Sequence, residues 1–360
     1  MPRVQGNCDD RFKNAKKLLQ QYIDSGGYAN TKRTRPWDEN TITNVWSTSK
    51  TVASLAALML ISRGILEPNE KVSKYWPEFA ANRKENIEVR HILLHTSGVS
   101  GWEKDGTLED SYDVPKATAL LAEQAPFWTP GTASGYHSLA LGHLISALTQ
   151  RATGKSLKQF IAEEIAGPLD ADFQLGAAEK DWPRVAEIIP PPSRGPPAAM
   201  DPSSVPIRSM ANPLVKAEIA GNEGWRRAEV GAANGHGNAR SIARMLSAVS
   251  LGGEVDGKRL LSPETIGMIF QEQARGTDLV VGENLNHGIG HGLNTRGTDL
   301  AQLPEGKICL WRGWGGSMVI MDVERKVTVA YVMNKIEKVG LGNARTKVYI
   351  KAAYDALNAM

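Results

Sequence analysis

Ser47 and Lys50 stand three positions apart at the start of a long apolar stretch, TITNVWSTSKTVASLAALMLISRG (41–64). Residues i and i+3 of a helix share a face, so the amine of Lys50 can lie beside the hydroxyl of Ser47. The helix is apolar nearly all round and should be buried, and burial lowers the pKa of a lysine toward that of a useful base. Such a base could activate the serine as a nucleophile.

The same two residues allow a purely structural interpretation. Ser47 could cap the N-terminus of the helix while Lys50 extends its ammonium group to water. The S-x-x-K pattern is also weak, since it is expected about once by chance in a chain of this length. Partners elsewhere in the sequence must decide between the two interpretations.

Two further segments supply groups of the right chemistry. In TPGTASGYHSLALGHL (129–144), Tyr136 follows a Gly-rich turn and precedes a helix, so it could reach a cleft and share a proton with a lysine. In CLWRGWGGSMV (309–319), a strand runs into a Gly-rich corner whose N–H groups could donate to an oxyanion. The structural alternatives are a tyrosine that packs a helix start and a turn whose aromatic residues cap a sheet edge.

The remaining pattern predicts an α/β (α+β) fold. An antiparallel sheet is flanked by N- and C-terminal helices, and a mainly helical region is inserted in the middle. Helices are predicted at 10–23, from Ser47, from 88, and at 115–125, 138–152, 156–170, 239–251, 262–274 and 343–358. Strands are predicted at 307–311, 317–323 and 326–334, and the Pro-rich segment 190–206 is predicted to be an extended surface loop.

Composition excludes several classes of function. The net charge of +3 over 360 residues gives no argument for nucleic acid or an anionic membrane. The longest apolar run is too short to span a bilayer and the N-terminal residues do not resemble a secretory signal, so a cytoplasmic location is predicted. Cys8 and Cys309 do not make a disulfide framework. His287 and His291 in HGIGHG lack partners at metal-ligand spacing and are attributed to tight turns, so neither a metal nor a cofactor is predicted.

The order and spacing of the three segments resemble the serine β-lactamase and penicillin-binding-protein superfamily, for which S-x-x-K is a known motif. The resemblance is strongest to class C β-lactamases and family VIII carboxylesterases, and it covers most of the chain from about Tyr28. The segments typical of the family are VRHILLHTSGVSG (89–101), PGTASGYHSLALGHLISALTQRATGKSL (130–157) and GSMVIMDVERKVTVAYVMN (316–334).

The resemblance implies roles for the residues already singled out. Ser47 is the acylated nucleophile and Lys50 its base partner. Tyr136 matches the tyrosine of the family's Y-x-N motif and shares the proton transfer. Here the motif reads Tyr136-His137-Ser138, so Ser138 replaces the usual asparagine beside the substrate.

The K-T-G strand motif of the family is absent. Its best match is Trp311-Arg312-Gly313, which resembles the W-G-G form of esterases and would make Trp314 N–H, with Ser47 N–H, an oxyanion donor. The triplet at 314–316 spells W-G-G more closely, but 311–313 keeps the family's usual spacing to the next strand.

The resemblance and this substitution together predict a serine hydrolase. The K-T-G lysine normally meets a substrate carboxylate, which a tryptophan cannot do, so carboxylic esters or lactones are the favoured substrates. The acyl-enzyme on Ser47 is released by water, or by an alcohol in an acyltransferase. The alternatives are a non-catalytic binding module and a weak β-lactamase or D-amino peptidase. Small-molecule ester or acyl compounds are the predicted partners.

Two sheet-forming parts, 1–85 and 225–360, are predicted to make one domain, with residues 86–224 inserted. Family members usually place a β-hairpin between the first helix and the helix of the nucleophile. The corresponding stretch DSGGYANTKRTRPWDENT (24–41) is polar and shows no alternation, so the hairpin is predicted to be missing. Loss of its two strands would leave a neighbouring strand with an open edge.

Overall fold

The structure is a computed structural model that describes residues 3–24, 37–191, 201–294, 303–337 and 344–359. Its α-helices are α1 (Lys13–Asp24), α2 (Ser49–Ser62), α3 (Val72–Tyr75), α4 (Val89–Leu93), α5 (Val114–Glu123), α6 (Ala140–Thr153), α7 (Leu157–Phe160), α8 (Val205–Met210), α9 (Glu223–Arg227), α10 (Ala239–Ser250), α11 (Pro263–Ile269) and α12 (Ala344–Asn358).

Its strands are β1 (Thr43–Asn44), β2 (Phe173–Leu175), β3 (Gly235–Gly237), β4 (Glu254–Val255), β5 (Lys258–Arg259), β6 (Ala274–Thr277), β7 (Asn284–Gly288), β8 (His291–Leu293), β9 (Ile308–Arg312), β10 (Met318–Asp322) and β11 (Val327–Tyr331). Short 3₁₀ turns include Trp46–Thr48, and a π-helical turn, Ile161–Ala166, continues α7.

One antiparallel sheet has the strand order β11-β10-β9-β8-β7-β6. Successive side chains of a strand point to opposite faces. One face of β9 and β10 carries Leu310 and Ile320, which pack with Tyr354 of α12. The opposite face carries Cys309 and Val319 and belongs to the main hydrophobic core, which also contains α2, α6 and α10. The sheet therefore separates the C-terminal helix from the helices that carry the candidate site.

Helix α2 runs through the centre of the main core. Every residue from Ser49 to Ile61 is buried, and the helix contacts both α6 and α10. Lys50 is consequently held in the interior and does not extend to water. The side chain of Ser47 caps neither α2 nor the preceding 3₁₀ turn. The expectation that Ser47 caps the helix and that Lys50 reaches water is therefore wrong.

A small sheet fixes the approach of the chain to Ser47. Its strand order is β1-β3-β2, and Thr43 and Phe173 both pair with Gly237. Just after β1, the N–H of Val45 donates to the carbonyl of Gly235 at 2.9 Å. Strands of two or three residues leave no periodic signal in the sequence, and this sheet was not predicted.

The predicted fold class is confirmed, and the longer elements lie where they were expected. The helices predicted at 10–23, 115–125, 138–152, 239–251 and 343–358 correspond to α1, α5, α6, α10 and α12, and the three predicted strands correspond to β9, β10 and β11. These elements are long enough, or rich enough in β-branched residues, for their pattern to be legible.

The prediction is wrong between residues 262 and 293. The helix expected at 262–274 ends at Ile269, and Ala274–Thr277 form β6. The HGIGHG segment is not only a turn, since its histidines lie on β7 and β8 and His287 pairs with Gly292. Strands β7 and β8 are rich in Asn, Gly and His, so their conformation depends on pairing within the sheet rather than on intrinsic preference.

Other predictions fall partly outside the described residues. Most of the Pro-rich loop does so (192–200), while Val205 and Pro206 begin α8 instead of continuing an extended loop. Residues 25–36, the centre of the predicted hairpin deletion, also lie outside them. Among the described strands β11 pairs with β10 alone, and the domain boundaries stay a prediction. No described helix is both long and apolar enough to cross a bilayer.

Gly288, at the end of β7, packs closely against the end of α11, and substituting it tests this packing. A Cβ at this position would overlap the carbonyl oxygen of Ile269, whereas a Cβ on Gly267 of α11 would meet no atom within 4 Å. We expect Gly288→Ala to lower the free energy of unfolding by about 1–3 kcal/mol. Gly267→Ala should leave it unchanged or raise it by up to about 1 kcal/mol. Equal thermal unfolding curves for the two variants would contradict this packing.

Candidate active site

Ser47 occupies the middle of the 3₁₀ turn that precedes α2. Trp46 before it has a left-handed backbone with φ of 51°, an unfavourable conformation for a bulky residue. The Trp46 ring is buried, with its centroid 5.0 Å from that of Trp314 and 6.0 Å from that of Trp225. This packing holds the strained turn, which leaves Ser47 half-buried between the buried residues Trp46 and Thr48.

The amine of Lys50 points at the serine from one turn further along α2. Its Nζ donates to Ser47 Oγ at 3.2 Å and to the carbonyl of Ala232 at 3.1 Å. The lysine is 3% exposed, and burial holds its pKa well below the usual value. An amine that loses its proton this readily can accept one from the serine hydroxyl.

Tyr136 approaches the serine from the loop before α6. Its hydroxyl donates to Ser47 Oγ at 2.6 Å, and Lys50 Nζ lies 4.6 Å from the centre of its ring. The tyrosine is 3% exposed, and burial raises its pKa above the usual value. The structure thus brings together all three residues predicted to do chemistry. Ser138 is half-buried and makes no hydrogen bond to the described residues, so its substrate-binding role stays a prediction.

Trp311 at the end of β9 forms a wall beside the tyrosine. Its ring is nearly parallel to those of Tyr136 (centroids 5.9 Å apart, 26° between planes) and His95 (5.4 Å, 16°). A flat ring fills the place that the K-T-G lysine has in the family pattern. Arg312 alternates to the other face of the strand, where its guanidinium lies 3.5 Å from Glu283 Oε2.

The turn after β9 approaches the start of α2 closely. A Cβ on Gly313 would lie 2.5 Å from the carbonyl oxygen of Val45 and 2.9 Å from Thr48 Oγ1, so only glycine fits. The turn is closed by the N–H of Gly316, which donates to the Gly313 carbonyl at 3.1 Å. In the described part of the chain, the N–H groups of Ser47 and Trp314 donate to no acceptor. They are the two groups predicted as oxyanion donors, and both are available to a substrate.

Several histidines around Tyr136 were not predicted to belong to the site. The ring centroid of His95 lies 5.4 Å from that of Tyr136, 5.2 Å from that of His137 and 5.5 Å from that of His287. Burial lowers the pKa of His137 and of His287 to about 4, and that of His95 well below its usual value. All three are therefore neutral near pH 7. The segment containing His95 was noted only for its family resemblance.

A carboxylate completes the surroundings of the tyrosine. Asp278 Oδ1 accepts the backbone N–H of Tyr136 at 3.0 Å, across 142 positions of sequence. No motif surrounds Asp278 in the sequence, so no local signal could have identified it.

Comparison with known proteins gives the family. The sequence profile described as Beta-lactamase matches residues 13–353. The chain belongs to the Beta-lactamase family. Esterase/beta-lactamase LipL of Mycobacterium tuberculosis is 32% identical to this family member over 320 residues, which is 86% of this chain and 73% of that protein. Esterase EstB of Burkholderia gladioli is 30% identical over 165 residues, or 41% of this chain and 42% of that protein.

Solved structures agree over the whole length. A crystal structure of a family VIII carboxylesterase has a TM-score of 0.91 at 32% identity, covering 99% of this chain and 100% of that one. A penicillin-binding-protein homologue from Caulobacter crescentus has a TM-score of 0.91 at 30% identity, with the same coverage. The predicted superfamily is confirmed by both relationships.

The burial of the Lys50 amine should lower the free energy of unfolding. Its pKa is lowered on folding, so below pH 10.5 the unfolded chain binds a proton that the folded chain binds only at lower pH. We expect Lys50→Met to raise the free energy of unfolding at pH 7 by about 1 kcal/mol. The gain should shrink as the pH rises toward 10.5. Denaturant unfolding of both proteins from pH 6 to 10 measures it, and a pH-independent difference would contradict the lowered pKa.

Proposed function

We propose that this chain is a serine esterase that hydrolyses carboxylic esters through an acyl-enzyme on Ser47. The observation that carries the proposal is the environment of one atom. Ser47 Oγ accepts hydrogen bonds from both Lys50 and Tyr136, and the N–H groups of Ser47 and Trp314 donate to no acceptor among the described residues. A nucleophile, a base and oxyanion donors are the parts that acyl transfer requires.

In the acylation step, neutral Lys50 takes the proton of Ser47 as Oγ attacks the ester carbonyl. The carbonyl oxygen becomes an oxyanion that accepts from the N–H groups of Ser47 and Trp314. The C–O bond to the alcohol then breaks, and Tyr136 gives its proton to the leaving oxygen. Tyr136 regains a proton from the Lys50 ammonium 4.6 Å from its ring centre, so the pair ends as it began.

Deacylation repeats the sequence with water in place of the serine. The Lys50–Tyr136 pair takes a proton from water as the hydroxide attacks the acyl carbonyl. The bond to Ser47 Oγ breaks, and that oxygen receives the proton back. The products are the free acid and the starting enzyme. An alcohol that enters instead of water would make the same site an acyltransferase, which stays a prediction.

The walls of the site support esters over substrates with an obligatory carboxylate. Trp311, Tyr136 and Val280 are buried together, with Val205 and Val281 packed against them. Trp311 has no charge to pair with an anion, and Arg312 lies on the other face of β9. The name of EstB, an esterase, supports this choice, whereas that of LipL, an esterase/beta-lactamase, covers both substrate classes.

A non-catalytic binding module is the alternative. It was suggested by the predicted loss of the hairpin, which falls largely outside the described residues, and by Arg312 within the predicted oxyanion strand. The contacts at Ser47 oppose it, because a non-catalytic scaffold has no need for a buried lysine of lowered pKa whose amine bonds to a half-buried serine.

Covalent labelling of Ser47 is the direct test. We expect a fluorophosphonate probe to add one adduct by intact mass, and Ser47→Ala to remove both the adduct and p-nitrophenyl ester hydrolysis, a loss of at least about 10⁴-fold. Tyr136→Phe should lower kcat by about 10²–10³-fold. The control is Ser250→Ala, whose hydroxyl meets Thr328 far from the site. An unlabelled but folded wild-type chain would favour the binding module.

The choice between esters and β-lactams is tested at Trp311. We expect kcat/KM for p-nitrophenyl butyrate to exceed that for nitrocefin by at least about 100-fold, because the charge-assisted bond to a lactam carboxylate is missing. Trp311→Lys should narrow this ratio, whereas Trp311→Phe, which keeps a flat ring against His95, should not. Equal kcat/KM values for the two substrates in the wild-type enzyme would contradict the assignment.

A further inference from the structure

The segment that carries Tyr136 is held in place by hydrogen bonds to two other parts of the chain. The N–H of Gly135 donates to the His95 carbonyl at 2.9 Å, and the N–H of His137 donates to His95 Nδ1 at 3.0 Å. On the other side, Tyr136 N–H donates to Asp278 Oδ1, and Leu279 N–H donates to the Ser134 carbonyl at 2.9 Å. The tyrosine is thus clamped between the end of α4 and the turn after β6.

Asp278 has more than one function in that turn. Its Oδ1 also accepts the N–H groups of Val280 at 2.9 Å and Val281 at 3.0 Å. Bonds of an aspartate to N–H groups two and three residues ahead are ordinary Asx-turn geometry and need no functional explanation. The bond to Tyr136 is different, because it joins this turn to a distant segment. Three N–H groups converge on a single oxygen of a residue that is 1% exposed.

The other carboxylate oxygen shows that Asp278 is not held there by a cation. In the described part of the chain Oδ2 accepts no hydrogen bond, and Asp278 forms no salt bridge. The ionisable groups around it and the tyrosine are Lys50 of α2 and the three neutral histidines, His95, His137 and His287. A buried carboxylate without a counter-ion is costly. The backbone bonds of Oδ1 are what stabilise it.

We propose that Asp278 is a positioning residue for Tyr136: Oδ1 fixes the backbone of the tyrosine, and with it the 2.6 Å contact between the phenol and Ser47, to the turn that carries Val280 and Val281. Since Val280 and Tyr136 pack together with Trp311, the apolar wall for the acyl group and the proton donor move as one unit. The proposal rests on the proposed role of Tyr136. A displacement of about 1 Å at such a contact can lower a rate by about 100-fold.

Two substitutions separate the geometry of Asp278 from its charge. Asp278→Ala removes the acceptor, and we expect kcat for p-nitrophenyl butyrate to fall by about 10- to 100-fold with KM changed by less than about threefold. Asp278→Asn keeps an acceptor oxygen in the same place, and it should restore kcat to within about threefold of wild type. If the negative charge of Asp278 mattered, and not its acceptor oxygen, Asp278→Asn would not restore kcat.

Asp322→Asn is the control for changing a buried aspartate; unlike Asp278, Asp322 also pairs with the guanidinium of Arg325 and accepts from the Tyr354 hydroxyl. Asp322 is also fully buried and accepts from a backbone N–H, that of Arg325 at 3.0 Å, but it lies at the end of β10. We expect it to lower the melting temperature while leaving kcat per folded molecule within about twofold, since the contacts of Ser47 are untouched.

Three outcomes overturn the proposal. Wild-type kcat in folded Asp278→Ala shows that the bond to Tyr136 does not matter. A loss of more than tenfold in Asp278→Asn assigns the effect to the charge, and this arm decides even when the alanine variant does not fold. If Asp322→Asn loses as much kcat as Asp278→Ala does, the loss reflects general destabilisation of the fold and not the position of Tyr136. Failure of the esterase proposal is seen separately, as activity that survives in Ser47→Ala.

Discussion

The burial of one amine in the first turn of a fully buried helix is the constraint on which the site depends. In water Lys50 would stay protonated and could not take a proton from Ser47. Helix α2 has no exposed face along Ser49–Ile61, so the amine is largely removed from solvent. Among the described residues, the carbonyl of Ala232 is its one hydrogen-bond acceptor besides the serine. The apolar composition of the helix therefore bears on the proposed chemistry, because burial lowers the pKa of the Lys50 amine.

The remaining parts of the site come from distant segments, and each is held by a contact that leaves little freedom. The left-handed backbone at Trp46 turns Ser47 toward the cleft, and its indole is packed between two other tryptophans. Gly313 brings the turn after β9 against Val45 and Thr48, where no side chain would fit. The strained turn at the serine and the close approach at the glycine set the positions of the Ser47 and Trp314 N–H groups, the two predicted oxyanion donors. Packing of the surrounding core holds this strained arrangement in place.

Features that depend on residues close together in the sequence could be predicted, whereas contacts between distant segments could not. The Ser47–Lys50 pair is local, since three helical positions set it, and its neighbours Tyr136 and Trp311 were found because Gly-rich turns and a strand mark their places. The sheet strands β6 to β8 were missed or misread because HGIGHG and the residues around it carry no alternation. Contacts such as Tyr136–Asp278 and Lys50–Ala232 join segments 142 and 182 positions apart. No pattern within one segment encodes them, so a structure is needed to find them.

The histidines complete the argument about protons. A site with several imidazoles invites a mechanism in which one of them is the base, yet the His95, His137 and His287 rings are all buried and their pKa values lie at about 4 or well below the usual value. Such weak bases cannot hold a serine proton near neutral pH. Two of them are committed elsewhere, since His137 Nε2 contacts Ser97 Oγ at 2.6 Å and His95 Nδ1 accepts from the backbone. They act as uncharged packing around the tyrosine, which supports the proposal that Lys50 and Tyr136 are the pair that exchanges protons with Ser47.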